Sequence, residues 1–494
     1  MFLNELKYLI PELFLLFVII GMTVSCIIFD NLTPLRVGYR LDFIRLHTYV
    51  FLLSLIFLAF LVFNTLDVEY VVFNGLLYGN IGTALVKVLL VIVFFSVFSV
   101  SLAYYKGNFN GYEFLVLLLI VLLSLFLIIS SADFMSLFFS FEMLSLSLYI
   151  LVAYKRDSIF STEGGLRYFI LGAFTSCMLA LGISFIYYVF GTTNFFTISL
   201  LGNLYGNNLN NDSFLFFGVI FVLVAFLFKL SAFPFHFWTP DVYQGAPILI
   251  TKVLATSSKI GVLTVLIKLL GDVFFFYNSS ISFILVLSGV GSVIIGTIGS
   301  LFQFKLKRLL AYSTIGNMGY ILLALSLGTF DGYVAAYFYV VVYVLLNINI
   351  FSILISFVRH FTGRVLSDIS ELVFLSTVYP IWSLVFVFSL FSIAGVPPLA
   401  GFFSKFYIFY ALVEEGYTYL VIFLVIMSII SAGYYLRLVN FLYFQGEKRF
   451  AMFRAPSLLS SIVIAFTFVL NISFMLYAKQ FLLLIEFLIR SLIV

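Results

Sequence analysis

The sequence sets a few ionisable side chains inside long apolar runs: Glu142 in Phe-Ser-Phe-Glu-Met-Leu-Ser, Lys229 in Phe-Lys-Leu-Ser-Ala-Phe-Pro, Lys252 and Lys259 seven residues apart, and Lys405 just after Pro397-Pro398. Ser145 and Tyr149 follow Glu142 at three and seven positions, on one helical face. A continuous helix puts Lys252 and Lys259 on one face about 10 Å apart along the axis, with Thr256 between them. A charge at the centre of a bilayer costs about 2.5 to 3.5 kcal/mol on insertion scales. Taken singly, each is explained by a buried ion pair or by a lysine snorkelling to the interface. Together, one acid and several lysines cost about 10 kcal/mol or more, a wasteful way to stabilise a bundle. Desolvation disfavours charge on acid and base alike, so such groups, linked by water and by Ser, Thr, Tyr or His side chains, can pass protons stepwise.

Other ionisable residues carry weaker signals. Lys87 and Lys268, near helix ends, read as snorkelling. Glu163 and Arg167, four apart, read as a local structural pair. His236 beside Pro234 is of the type that titrates near neutrality when unperturbed, but it also reads as packing beside a tryptophan.

The elements that must hold these residues follow from composition. Of 494 residues only 9% are charged and 64% are hydrophobic, against about 25% charged in a soluble domain; mean hydropathy is +1.23. This is an all-α polytopic membrane protein forming one bundle. Apolar runs long enough to cross lie near 8 to 28, 46 to 65, 84 to 105, 113 to 130, 134 to 154, 164 to 190, 213 to 238, 246 to 270, 280 to 302, 307 to 328, 332 to 358, 372 to 412, 417 to 444 and 457 to 486, about fourteen spans. The twelfth is too long for one straight helix and contains Gly395-Val396-Pro397-Pro398, a natural break.

Charges in the connections alternate. After spans 1, 3, 5, 9, 11 and 13 come Arg36, Arg40 and Arg45, then Lys106, then Lys155 and Arg156, then Lys305, Lys307 and Arg308, then Arg359 and Arg364, then Lys448, Arg449 and Arg454. After spans 2, 4, 6, 8, 10 and 12 come Asp67 and Glu69, Asp133, Asp212, Asp272, Asp331, and Glu414 and Glu415. Basic loops face the cytoplasm or matrix, which puts both termini on the opposite side. Only the connection after span 7, holding Asp241, lacks its expected base. The net charge of +4 is too small and dispersed for a nucleic-acid surface. Two cysteines, Cys26 and Cys177, and three histidines, His47, His236 and His360, form no local ligand pair, so no zinc, haem or iron–sulfur site is expected. The N-terminus lacks a transit-type segment and reads as mature sequence.

Pro234, just after Lys229, and Pro397 with Pro398, just before Lys405, remove amide donors and break helices 7 and 12. Each broken helix is the fourth member of a five-helix group, spans 4 to 8 and spans 9 to 13. A unit of five repeated in sequence inserts upside down the second time, which predicts an inverted repeat. The divisions are residues 1–110, 111–270, 271–445 and 446–494.

The run Phe-Lys-Leu-Ser-Ala-Phe-Pro-Phe-His-Phe-Trp-Thr-Pro-Asp-Val-Tyr-Gln-Gly-Ala-Pro at 228–247 and Ala-Thr-Ser-Ser-Lys at 255–259 closely resemble the antiporter-like membrane subunits of respiratory complex I. Lys-Arg-Leu-Leu-Ala-Tyr-Ser-Thr-Ile at 307–315 and Ala-Gly-Val-Pro-Pro-Leu-Ala-Gly-Phe-Phe-Ser-Lys-Phe-Tyr at 394–407 match too, and the resemblance covers roughly residues 110–445. It implies fourteen helices, two inverted five-helix repeats and a place in a proton-pumping arm. It also implies that Glu142 is the helix 5 glutamate, Lys229 its helix 7 partner, Lys259 the helix 8 linking lysine, and Lys405 the helix 12 lysine of an exit half-channel. Arg167 stands where relatives often have lysine, and a guanidinium does not deprotonate. Lys252 is an extra lysine, either a further relay group or a lipid-side snorkeller.

The expected activity is proton translocation coupled to NADH:ubiquinone oxidoreduction. NADH, FMN, iron–sulfur clusters and ubiquinone are expected on partner subunits, with neighbouring antiporter-like subunits and membrane lipids as partners. A multi-subunit cation/proton antiporter and a structural spacer are the alternatives. The 65 phenylalanines and 31 tyrosines suggest AT-rich coding and favour the mitochondrial inner membrane over a bacterial plasma membrane.

Overall fold

The computed structural model describes residues 2–32, 37–66, 68–108, 113–209, 213–357, 366–444 and 457–493. Arg36, Asp67, Asp212, Arg359, His360, Arg364, Lys448, Arg449 and Arg454 lie outside the described residues, as do the side chains of Arg40, Arg45 and Lys106. In chain order the helices are α1 (Phe2–Tyr8), α2 (Ile10–Leu32), α3 (Val37–Phe63), α4 (Ile81–Asn108), α5 (Glu113–Ser130), α6 (Phe134–Val152), α7 (Ile159–Phe190), α8 (Phe195–Leu209), α9 (Ser213–Leu230), α10 (Trp238–Gly245), α11 (Ile248–Ala255), α12 (Ser257–Lys268), α13 (Asn278–Leu301), α14 (Leu306–Leu325), α15 (Phe330–Ser356), α16 (Val373–Val378), α17 (Pro380–Ala394), α18 (Ala400–Glu414), α19 (Thr418–Tyr443) and α20 (Leu458–Leu492).

In hydrocarbon every backbone N–H and C=O must be satisfied within the chain, which leaves these Leu-, Phe- and Ile-rich runs no alternative to helix. Among the described residues, twelve segments are long and apolar enough to cross a membrane. Two of the stretches predicted to cross fall outside that set for different reasons. In α14 the apolar run is diluted by Arg308, Ser313, Thr314 and Asn317. The 372–412 stretch is divided into α16, α17 and α18, as its length demanded.

Burial separates the centre of the bundle from its rim. Residues 248–270 are buried without interruption and Phe330–Ser356 nearly so, whereas most residues of Thr418–Tyr443 and Leu458–Leu492 are not buried. Thus α12 packs against α5, α9 and α15, and α15 packs in turn against α14, α17, α18 and α20. Exposed Phe17, Leu53, Ile429 and Phe466 make the outer surface apolar, the reverse of a soluble protein.

Contacts between connections sort by end. At one end Arg167 and Arg308 both meet Asp241, Lys307 donates to the Ala246 carbonyl, and the backbones at Lys305 and Asp368 pair through Leu306 N–H on the Ser367 carbonyl and Ile369 N–H on the Phe304 carbonyl. At the other end Asp133 accepts from the Thr193 hydroxyl, Asn194 binds the Gly75 carbonyl, Phe73 N–H donates to Glu5, and Asn80 binds the Ser491 carbonyl. No contact in either group mixes connections that the charge alternation assigns to opposite sides. Glu5 and Ser491 bring both terminal helices to the acid-bearing end. The one exception to the alternation is also explained: the base missing beside Asp241 is supplied by two other elements.

Two expectations are corrected, and one element is added. First, Lys252 and Lys259 do not share one straight helix, because it is interrupted at Thr256 between α11 and α12. The hydroxyls of Thr256, Ser257 and Ser258 each bond the carbonyl four residues back, a pattern that bends helices. Second, Lys87 and Lys268 do not snorkel. Lys87 pairs with Glu12 at 2.5 Å and Lys268 donates to the Ile129 carbonyl, both buried. The added element is an antiparallel hairpin in the connection before α4, Tyr70–Val72 against Leu77–Gly79, turned by Phe73, Asn74 and Gly75 at positive φ.

Candidate functional site

The last four carbonyls of any helix lack intrahelical partners, and α9 ends at depth where water is scarce. Its end is closed in a Schellman arrangement, with Ala232 N–H on the Leu227 carbonyl and Ser231 N–H on the Phe228 carbonyl, both 2.9 Å. Ser231 takes the left-handed position at φ 61°, where glycine is usual. The Trp238 indole also donates to the Phe228 carbonyl at 3.0 Å. The Lys229 carbonyl is taken by the ammonium of Lys259 at 3.1 Å, which also donates to the Ser231 hydroxyl at 2.8 Å and lies 5.8 Å from the Trp238 ring centre. Lys259 is completely buried. The break after Lys229 therefore exposes the acceptors on which the buried Lys259 side chain is seated.

The second break repeats this device. Val396 N–H binds the Phe391 carbonyl and Gly395 N–H the Ser392 carbonyl, both 3.0 Å, with Gly395 left-handed at φ 95°. The Ala394 carbonyl accepts from the ammonium of Lys405 at 2.7 Å, and Lys405 is 5% exposed and 5.5 Å from the Tyr320 ring centre. On the far side of the break, Ser392 Oγ accepts from Gly401 N–H at 3.0 Å and Asn471 Oδ1 accepts from Ala400 N–H at 3.4 Å, capping the start of α18. A Cβ on Gly401 would stand 1.7 Å from the Ser392 carbonyl oxygen, so only glycine fits that crossing.

Glu142 on α6 and Lys229 on α9 are brought near each other where Phe141 packs edge-on against Phe226 at 5.3 Å. Lys229 Nζ lies 5.9 Å from the ring centre of Phe141, one residue before Glu142. Ion pairs within 4 Å include Glu12–Lys87, Glu163–Arg167, Asp241–Arg167 and Asp241–Arg308. Glu142–Lys229 is not one of them, so the two groups are near each other without direct contact. From Glu142 an aromatic series runs to the break: Tyr149 is edge-on to Tyr168 at 4.8 Å, and Tyr168 stacks on Trp238 at 4.7 Å.

The remaining candidates divide. Arg167 is half exposed, forms its predicted pair with Glu163 and also bonds Asp241, so it belongs to the basic end of the bundle. Lys252 is fully buried, its ammonium 2.9 Å from both the Ser96 carbonyl and the Ser352 hydroxyl, which excludes the lipid-side reading. His236 lies within the Pro234 break, its buried ring 4.4 Å from Phe237. The Phe233–Pro234 and Pro397–Pro398 bonds are both cis.

Between the breaks lies a polar tract that sequence reading missed. Tyr339 donates to Asn317 Oδ1 at 2.9 Å and stacks on Tyr320, which carries Lys405 on its face, while Tyr243 and Tyr435 are buried nearby in the same bundle. Asn317 within an apolar run was the available signal; the tyrosines, among 31, gave none.

Residues 131–431 match the protein family described as NADH:quinone oxidoreductase/Mrp antiporter, TM. The chain is 34% identical over 482 residues to NADH-ubiquinone oxidoreductase chain 2 of Marchantia polymorpha, covering 97% of this chain and 96% of that protein. It is 39% identical over 399 residues to NADH-quinone oxidoreductase subunit N of Pelagibacter ubique, covering 80% and 83%. A chain in the structure of respiratory complex I from Thermus thermophilus with bound aureothin superposes with a TM-score of 0.78 at 25% identity, covering 96% of this chain and 98% of that one.

Proposed function

Because this chain belongs to the NADH:quinone oxidoreductase/Mrp antiporter membrane family, we propose that it is a proton-translocating, antiporter-like subunit in the membrane arm of respiratory complex I. The observation that carries this reading is the pair of buried ammoniums, Lys259 and Lys405, each seated on a carbonyl at the end of a broken helix. An ammonium held by a carbonyl and a hydroxyl can give up one proton and keep its hydrogen bonds with the two that remain. Charge movement at Glu142 and Lys229 then alters the field at Lys259, and the proton proceeds through the tyrosine and asparagine tract towards Lys405. Lys252, bound to a carbonyl and a hydroxyl in the same way, is a further store.

The same helix-end motif at both breaks supports two inverted five-helix units, spans 4 to 8 and 9 to 13, within a fourteen-helix bundle. NADH, FMN, iron–sulfur clusters and quinone belong to partner subunits, and the redox step takes place there. The basic end faces the matrix of a mitochondrion, with both termini on the intermembrane-space side; the Phe- and Tyr-rich composition favours this over a bacterial plasma membrane. Replacing Lys229 by Ala in the assembled complex should lower proton pumping and quinone reduction together; wild-type rates would refute the reading. The cation/proton antiporter alternative shares the fold, and is the better account if the chain purifies without flavin and iron–sulfur proteins.

A further inference from the structure

The last helix, α20, is 35 residues long, about 50 Å, and exceeds the roughly 30 Å of a hydrocarbon core. Its depth is fixed at one end, where Asn80 binds the Ser491 carbonyl and the Arg490 guanidinium lies 5.5 Å from the ring centre of Phe330 at the start of α15. Further along, Phe474 and Phe481 both pack on Phe338 of α15, with ring centres 5.7 and 6.4 Å away. Phe474 also meets Phe403 on α18, two residues before Lys405, at 6.2 Å. Lys479 lies between Phe474 and Phe481, twelve residues and about 18 Å from Ser491. That places it deep in the hydrocarbon, within about a turn of the level of Lys405.

At this depth Lys479 is on the outer surface. It and Gln480 are exposed, among exposed Met475, Leu476 and Leu483. Among the described residues nothing bonds its ammonium. The next carboxylate on α20 is Glu486, seven residues on and about 10 Å along the axis. Snorkelling does not relieve the charge either. A helical side chain leans towards the helix N-terminus, here the basic end, and with Ser491 at one edge of a 30 Å core about 12 Å of hydrocarbon remains in that direction. A four-carbon stem does not cross it. A charge left unpaired in such a place is costly, which is why intramembrane lysines find partners.

We propose that Lys479 marks a subunit interface: this face of α20 docks a transmembrane helix of a neighbouring membrane-arm subunit that presents an Asp or Glu at the same depth. The carboxylate pairs with the ammonium, Gln480 bonds a polar group beside it, and Met475, Leu476 and Leu483 supply the apolar contact around the pair. Phospholipid phosphates lie in the headgroup layer, out of reach at this depth, so the anion comes from protein. The interface rests on the membrane-arm reading only for the existence of a neighbour, and owes nothing to the proton relay.

The test begins with the wild-type assembled complex. Dicyclohexylcarbodiimide enters the bilayer and activates a carboxyl group, and the Lys479 amine then displaces dicyclohexylurea to form an amide. The expected product is a Lys479 peptide joined, with loss of one water, to an Asp or Glu peptide of another subunit, read by mass spectrometry. Phenyl isothiocyanate, a lipid-soluble amine reagent, should leave Lys479 unmodified in the same complex. Substitution is the second arm: Lys479→Leu strands the partner acid and should release severalfold more of the neighbouring subunit than wild type in detergent, while Lys479→Arg retains it. The proposal is overturned if no amide to another subunit forms, if phenyl isothiocyanate modifies Lys479 in the assembled complex, or if Lys479→Leu keeps every subunit as wild type does. Wild-type rates in Lys229→Ala would refute the relay and leave the amide cross-link in place.

Discussion

The two helix breaks solve one problem with different parts. At the first, Ser231 takes the left-handed position, and the ammonium comes from a neighbouring helix: Lys259 on α12 reaches the end of α9. At the second, Gly395 takes that position without strain, and the ammonium belongs to the same broken segment: Lys405 on α18 reaches back to the end of α17. Lys229 precedes Ser231 by two residues, whereas Lys405 follows Gly395 by ten, so the lysines that share a rank in the two five-helix groups do not share a position. What recurs is the seat, an uncapped carbonyl in a dry interior, and different lysines fill it. Among the described residues, only the first break has an acid nearby, Glu142, which makes it the side on which a change of field can act.

Substitutions can break this comparison in order of expected effect. Lys259→Met should remove pumping and also leave the Lys229 carbonyl without its partner, a cost of about 1 to 3 kcal/mol. Proton uptake by reconstituted complex and its thermal denaturation midpoint check the two parts. Next comes Gly401→Ala, which drives a methyl into the Ser392 carbonyl and should destabilise the second break alone by about 1 to 3 kcal/mol. Gly395→Ser would impose the first break's left-handed serine on the second and cost about 1 to 2 kcal/mol. Both are read as loss of assembled complex on heating. Smallest is Arg167→Gln: its pairs are half exposed and worth less than about 1 kcal/mol, so pumping should stay near wild type. A large loss would mean that Arg167 controls Glu142 after all.

Much of this arrangement was legible because charge is scarce. Glu142, Lys229, Lys259 and Lys405 stood out against apolar neighbours, and Pro234, Pro397 and Pro398 marked the breaks. The alternation of basic and acidic loops gave the two ends that the loop contacts bear out. Its exception at Asp241 needed the structure, since Arg167 and Arg308 arrive from distant sequence. The bend at Thr256 escaped because periodicity assumes a straight helix, although three successive hydroxyls from Thr256 to Ser258 were the warning. The hairpin at Tyr70–Gly79 had a visible turn in Asn74-Gly75, hidden among apolar residues. Burial of Lys87 could not be read, because its partner Glu12 lies on another helix.

The central claim is that Lys259 carries the proton and does more than hold the end of α9. Lys259→Arg separates the two roles, because a guanidinium can donate to the Lys229 carbonyl and the Ser231 hydroxyl but does not deprotonate. The measurement is protons translocated per NADH oxidised in proteoliposomes containing the assembled Lys259→Arg complex. The account expects normal assembly with pumping lost; a wild-type ratio would contradict it.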